Sequence, residues 1–157
     1  GMTSSDGRRI KRSVNIKMDS IHHLSDSQID KLKSIQIIVD YLETKQNDIK
    51  DFNTENNIDI NMPLNGRNLT NIGVFRKYLQ TYVENHSAIH KDMMIMVRQL
   101  APTTQGIPLE VYAFSSDKRW ENYEYIISDI FDHIIASVTY FDLEIFELPS
   151  NSSFGTN

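Results

Sequence analysis

The sequence predicts an α+β fold of the ferredoxin-like, split βαβ kind, in one domain. Three observations carry it. A strictly alternating run opens the chain, two apolar runs flank a turn near its middle, and two long segments repeat their apolar residues every three or four positions. In order these read strand, helix, inserted loop with helix, strand, strand, helix, strand. Apart from the insertion that is β-α-β-β-α-β.

"RRIKRSVNIKM", from Arg8 to Met18, sets Ile10, Val14, Ile16 and Met18 on one side and Arg9, Lys11, Ser13, Asn15 and Lys17 on the other. Period two predicts a half-buried strand. Its basic side reads as a solvated face, with nucleic-acid contact as the alternative. Ser25 followed by Gln28 is a capping-box pair and predicts a helix start. Ile29, Leu32, Ile35, Val39 and Leu42 then form a single apolar stripe. Asn53 to Asn71 is rich in asparagine and carries Pro63 and Gly66. It reads as loop, with short extended pieces near 58–62 and 68–72. Helical spacing returns through Val74 or Phe75, Tyr78, Leu79, Tyr82 and Val83.

"MMIMVRQLAPTTQGIPLEVYAF", from Met93 to Phe114, is the predicted hairpin. Pro102 and Gly106 bound its turn. Pairing Arg98 with Glu110 sets Val97 against Val111 and Ile95 against Ala113 on one face. The other face then stacks Met96 on Tyr112 and Met94 on Phe114. Ser115, Ser116 and Asp117 offer capping oxygens to a helix through Trp120, Tyr123, Ile127, Ile130, Phe131, Ile134 and Val138. "DLEIFELP", Asp142 to Pro149, alternates as a last strand. Residues 8–149 are thus the domain, 50–90 its inserted loop and helix, and 150–157 a flexible tail. Residues 1–7 read as linker, with Gly1 ahead of Met2 as a remnant of tag removal.

A chain of 157 residues, 39% hydrophobic and 24% charged, can bury one core. Its formal net charge of −5 argues against bulk attraction to nucleic acid. With no cysteine, disulfides and thiolate chemistry are excluded, and a cytoplasmic address fits. The apolar runs fall far short of the ~20 residues of a membrane helix.

Chemistry is scarce. His86 and His90 are spaced as ligands on a helix face, with Asp92 near, but Lys91 adjoins them and no HExxH is present. They read as solvated helix-end histidines. Asp129 and His133, with Asp132 beside them, read as a surface pair rather than an oriented base. Tyr112 and Phe114 resemble the stacking positions of RNA-binding sheets, but the consensus around them is missing. No catalytic, metal or cofactor-binding residue is assigned. The candidate site is structural: the sheet face of Met94, Met96, Arg98, Glu110, Tyr112 and Phe114, which is either open to a partner or covered by the insertion.

"GRRIKRSVNI", "LTNIGVFRKYLQTYV" and "MVRQLAPTTQGIPLEVYAFSSDKRWENYEYIISDIFDHIIA" together resemble the cytoplasmic C-terminal region of bacterial small-conductance mechanosensitive channels, of the miniconductance branch. The resemblance runs from Gly7 to about Pro149. It implies a cage domain on the cytoplasmic side of the bacterial inner membrane, ferredoxin-like and without enzymatic activity, in a channel opened by membrane tension during osmotic downshock. It implies a homoheptameric ring of this chain, with pore helices and most of a β domain outside the present sequence. The isolated domain is expected to be non-conducting and a monomer or weak oligomer, because a ring deprived of its other contacts loses avidity. The alternative is a free-standing ferredoxin-like module that binds a small ligand or RNA.

Overall fold

A computed structural model describes residues 3–4 and 7–149. The predicted tail, 150–157, lies outside the described residues, and so does most of the predicted linker. Thr3–Ser4 and Gly7 are exceptions, since both belong to the sheet. The strands are β1 (Thr3–Ser4), β2 (Gly7–Ile16), β3 (Met96–Gln99) and β4 (Ile107–Ser115). The helices are α1 (Asp26–Leu32), α2 (Val39–Glu55), α3 (Asn71–Asn85) and α4 (Trp120–Ser137). The sheet is antiparallel throughout, in the order β1-β2-β4-β3. Long strands β2 and β4 occupy the middle, as a split βαβ sheet requires.

The last predicted strand survives as one bridge. Ile145 pairs with Ile16, flanked by hydrogen bonds from Lys17 N to Glu144 O and from Phe146 N to Asn15 O. It is shortened by its entry: Asp142 adopts a left-handed conformation (φ 55°) after a 3-10 turn at Val138–Phe141, so few residues lie flat beside β2.

One predicted helix is two. Ser25 caps α1 with the foreseen capping box to Gln28. The helix then ends at Leu32, where the Ser34 hydroxyl donates back to Lys31 O and Ile35 turns extended. The break rephases the apolar stripe. Ile38 and Leu42 are buried, while Ile35 and Val39 are only half-buried.

The helix laid on the sheet before the hairpin is α3, not α1 or α2. Its residues Ile72, Val74, Phe75, Tyr78, Leu79 and Val83 enter one core with Ile10, Val14 and Ile16 of β2, Leu109, Val111 and Ala113 of β4, and Ile127, Ile130 and Ile134 of α4. By contrast, α2 buries only Leu42 and Asn53. The region predicted as insertion (50–90) includes α3, which packs on the sheet, while Ile29 and Leu32 of α1 and Leu42 of α2 join the same core. Burying more apolar surface decides which helix the sheet takes. Asn71 and Ile72, expected in an extended piece, form the first turn of α3 under a Thr70 cap that accepts from Gly73 N.

Candidate interaction face

Alternation on β2 and β4 divides the sheet into a helix-covered side and an open side. The observed register pairs Met96 with Tyr112, Val97 with Val111, Arg98 with Glu110 and Gln99 with Leu109. It is the predicted one over these four residues. Across β4, β2 pairs Arg9 with Phe114, Lys11 with Tyr112 and Ser13 with Glu110. The open side thus carries Phe114, Tyr112 and Glu110 down its centre, Met96 and Arg98 on one flank, and Arg9, Lys11 and Ser13 on the other.

Met94 stands apart. It is 60% exposed and lies before β3 begins. The ladder place beside Phe114 belongs to the Ile89–His90 turn, where Ile89 bridges Ser115 and His90 N donates to Phe114 O. The predicted pairs Met94–Phe114 and Ile95–Ala113 do not form. On its outer edge the strand is met by Gln80 of α3. Its Nε2 donates to Ile95 O (3.0 Å), and Val97 N donates to its Oε1 (2.8 Å). A side-chain amide offers the same donor and acceptor as a backbone peptide, so Gln80 closes the edge as a strand would.

The remaining members differ in exposure. Phe114 is buried, 8% exposed. Tyr112 is half-buried and meets Phe114 edge-on, ring centroids 5.7 Å apart at 86°. The Arg9 guanidinium lies 6.0 Å from the Tyr112 ring centroid. Met96 is exposed at 42%. Glu110 is buried and accepts from Arg98 Nε at 2.9 Å. Helices α3 and α4 both pack on the other face, and Met96 stays exposed on this one.

The histidines are structural joints. His86 Nδ1 accepts from Ala88 N, which leaves Nε2–H to donate to Asp129 Oδ2 at 3.0 Å. Asp129 is therefore the partner of His86, not of His133. The His133 ring stacks on Tyr82 (centroids 4.0 Å apart, 5° between planes), and its Nε2 is hydrogen bonded to the Tyr78 hydroxyl. Burial lowers the pKa of His133, with Asp129 opposing and His86 reinforcing that shift. These contacts fasten α3 to α4. His90 turns away and receives Asp92 N on its Nδ1. Among the described residues no three His, Asp or Glu side chains are grouped to hold a metal ion.

Sequence reasoning missed Asn71, which is fully buried. Its amide donates to the carbonyls of Ser20, Phe141 and Asp142, and its Oδ1 accepts from His22 N. One side chain therefore ties the exit of β2, the start of α3 and the turn after α4. An asparagine beside a capping threonine is the only signal, and asparagine is common in such loops.

The open face carries the half-buried Tyr112 ring, the exposed Met96 thioether and guanidinium groups on both flanks. No helix among the described residues is long and apolar enough to cross a membrane. A family model for the mechanosensitive ion channel MscS, C-terminal, matches residues 66–145, the stretch from just before α3 through the bridge of Ile145 to Ile16.

Proposed function

Because the chain belongs to the mechanosensitive ion channel family of MscS, through its C-terminal domain, we propose that it walls the cytoplasmic vestibule of a channel opened by membrane tension. In that reading copies of the chain form a closed ring, a homoheptamer, and the whole channel releases solutes on osmotic downshock. The domain conducts nothing itself and has no enzymatic role. The observation that supports a ring is the open sheet face: Met96 is exposed and Tyr112 half-exposed there among the described residues. A cyclic ring joins unlike surfaces, so this face would meet a different patch on the next copy.

The test is electrical. The full-length protein containing this chain, reconstituted in liposome patches, should show conductance that rises with suction. A protein silent at all tensions up to patch rupture would overturn the reading. The interface is tested separately in that intact protein. Met96→Asp should reduce cross-linked rings on detergent gels while leaving the unfolding temperature of the isolated chain unchanged. The isolated chain should sediment as a monomer or weak oligomer at micromolar concentration. A stable heptamer there would show that this domain closes its ring unaided.

A further inference from the structure

The segment ahead of α3 makes a cleft with it. It measures about 430 Å³ and lies between α2, the 63–70 loop and the first turn of α3. Lys45, Arg67 and Arg76 line it, with His23 and Tyr41, and no aspartate or glutamate does. That is unexpected in a chain with 21 acidic against 16 basic residues. None of the three cations is in an ion pair among the described residues.

The loop is shaped to hold one of them. Asn53, buried on α2, grips the backbone of Arg67 in both directions: its amide donates to Arg67 O at 3.1 Å, and Arg67 N donates to its Oδ1 at 3.0 Å. Gly66 turns with φ +63°, and a side chain there would collide with Asn53 Oδ1 at 2.2 Å. The Arg67 guanidinium lies over the Phe52 ring at 5.5 Å. Arg76 donates from Nη1 to Gln99 Oε1 at 3.2 Å. Its charge also acts on Tyr41, holding down a phenol pKa that burial raises. Lys77, over the Tyr41 ring at 5.4 Å, adds a fourth positive charge nearby.

We propose that this cleft binds a small soluble anion carrying two or more phosphate-type charges, held by Lys45, Arg67 and Arg76. Two guanidiniums and an ammonium suit phosphate oxygens, each fork donating two parallel N–H bonds to them. The side chains do the holding, because the first-turn N–H groups of α3 are already engaged by His22 O, Asn71 Oδ1, Thr70 Oγ1 and Thr70 O. The site is independent of the ring and of conduction.

The experiment is a titration of the ¹⁵N-labelled chain with inorganic pyrophosphate. Saturable amide shifts are expected at Arg67, Thr70 and Gly73, in the millimolar range or tighter. The triple variant Lys45→Gln, Arg67→Gln, Arg76→Gln should keep its amide dispersion and lose affinity by about tenfold or more. Arg67→Lys, which keeps the charge without the fork, should fall between. Any of three results would overturn the proposal: no saturable shift, shifts centred on Arg8–Arg12 of β2 instead, or equal affinity in the triple variant. In a parallel arm, phosphatidylglycerol vesicles should not capture the chain. Capture that needs the three cations while pyrophosphate moves no amide would assign the cleft to a lipid headgroup and refute a soluble ligand.

Discussion

Arg98 Nε donates to Glu110 Oε1 at 2.9 Å across the hairpin, with half of the arginine side chain in water and 6% of the glutamate's. The asymmetry means that the carboxylate depends on the pair more than the guanidinium does. Arg98→Met strands a buried charge and should destabilise the fold by about 2 kcal/mol. Adding Glu110→Leu should restore much of that loss. Urea denaturation checks both, and an unchanged midpoint for Arg98→Met would contradict the account.

Asn71→Ala removes one acceptor and the donors to three carbonyls at the junction of β2, α3 and the turn after α4. The expected loss is about 3 kcal/mol, because the abandoned groups sit where water cannot replace the amide. Asn71→Asp should fare no better, since its carboxylate would face carbonyl oxygens. Thermal unfolding of the two variants decides it.

His22 is the pH-sensitive joint of that same region. Its pKa is raised, first by its hydrogen bond to the His23 carbonyl, then by the hydrogen bond and charge of Asp142, with burial opposing. A raised folded pKa means that the contribution is complete below the unfolded value of 6.5 and is lost as pH rises through the folded value. Asp142 is 73% exposed, so the effect should be at most about 1 kcal/mol. Asp142→Asn tolerates the left-handed backbone and should flatten the decline in stability between about pH 6 and pH 8.

Gly106 closes the hairpin turn at φ +93°, where an added Cβ would meet the Ile16 carbonyl at 2.4 Å. Gly106→Ala should cost about 2 kcal/mol or more, since both the dihedral and a neighbouring strand's backbone resist it. Faster hydrogen exchange at Thr103 N and Gly106 N, which bond across the turn, would locate the damage there.

On the open face the two aromatics should separate. Phe114→Ala empties a buried site and should lower stability by about 3 kcal/mol. Tyr112→Ala trims a half-exposed ring and should act on association in the intact protein far more than on unfolding. Equal destabilisation by both would show that the face is a second core.

The hairpin was legible because several local signals agreed. A turn, two apolar runs and one pair of opposite charges admit a single register, and Arg98 and Glu110 mark it. The Ser25 box was legible for the same reason, being local. Long-range competition was not. Nothing near Ser34 announces that the helix should stop, and nothing in the spacing of Ile29 to Leu42 says that α3 will displace that segment from the sheet. The Ile89–His90 turn took the place beside Phe114 that Met94 was expected to fill. Trp120, read as part of the buried stripe of α4, is 64% exposed, because the helix begins there. Asp117 turns the chain just before it, accepting from Arg119 N in place of a direct cap. The open face lost Met94 and gained Arg9 and Lys11 once β2 was placed beside β4.

Among the described residues, strand pairing on the side of β2 away from β4 is confined to its two ends. Thr3 and Ser4 pair with Arg8 and Gly7 at one end, and Glu144 to Phe146 with Asn15 to Lys17 at the other. Between them, among the described residues, no strand pairs with 10–14 on that side. Such a bare margin is what a stray chain needs to dock and seed a fibril. Lys11, Arg12 and Ser13 stand exposed along it, and like charges on two approaching copies repel before the backbones can zip together. The alternation of "RRIKRS" thus also guards the molecule against aggregation while its edge is naked.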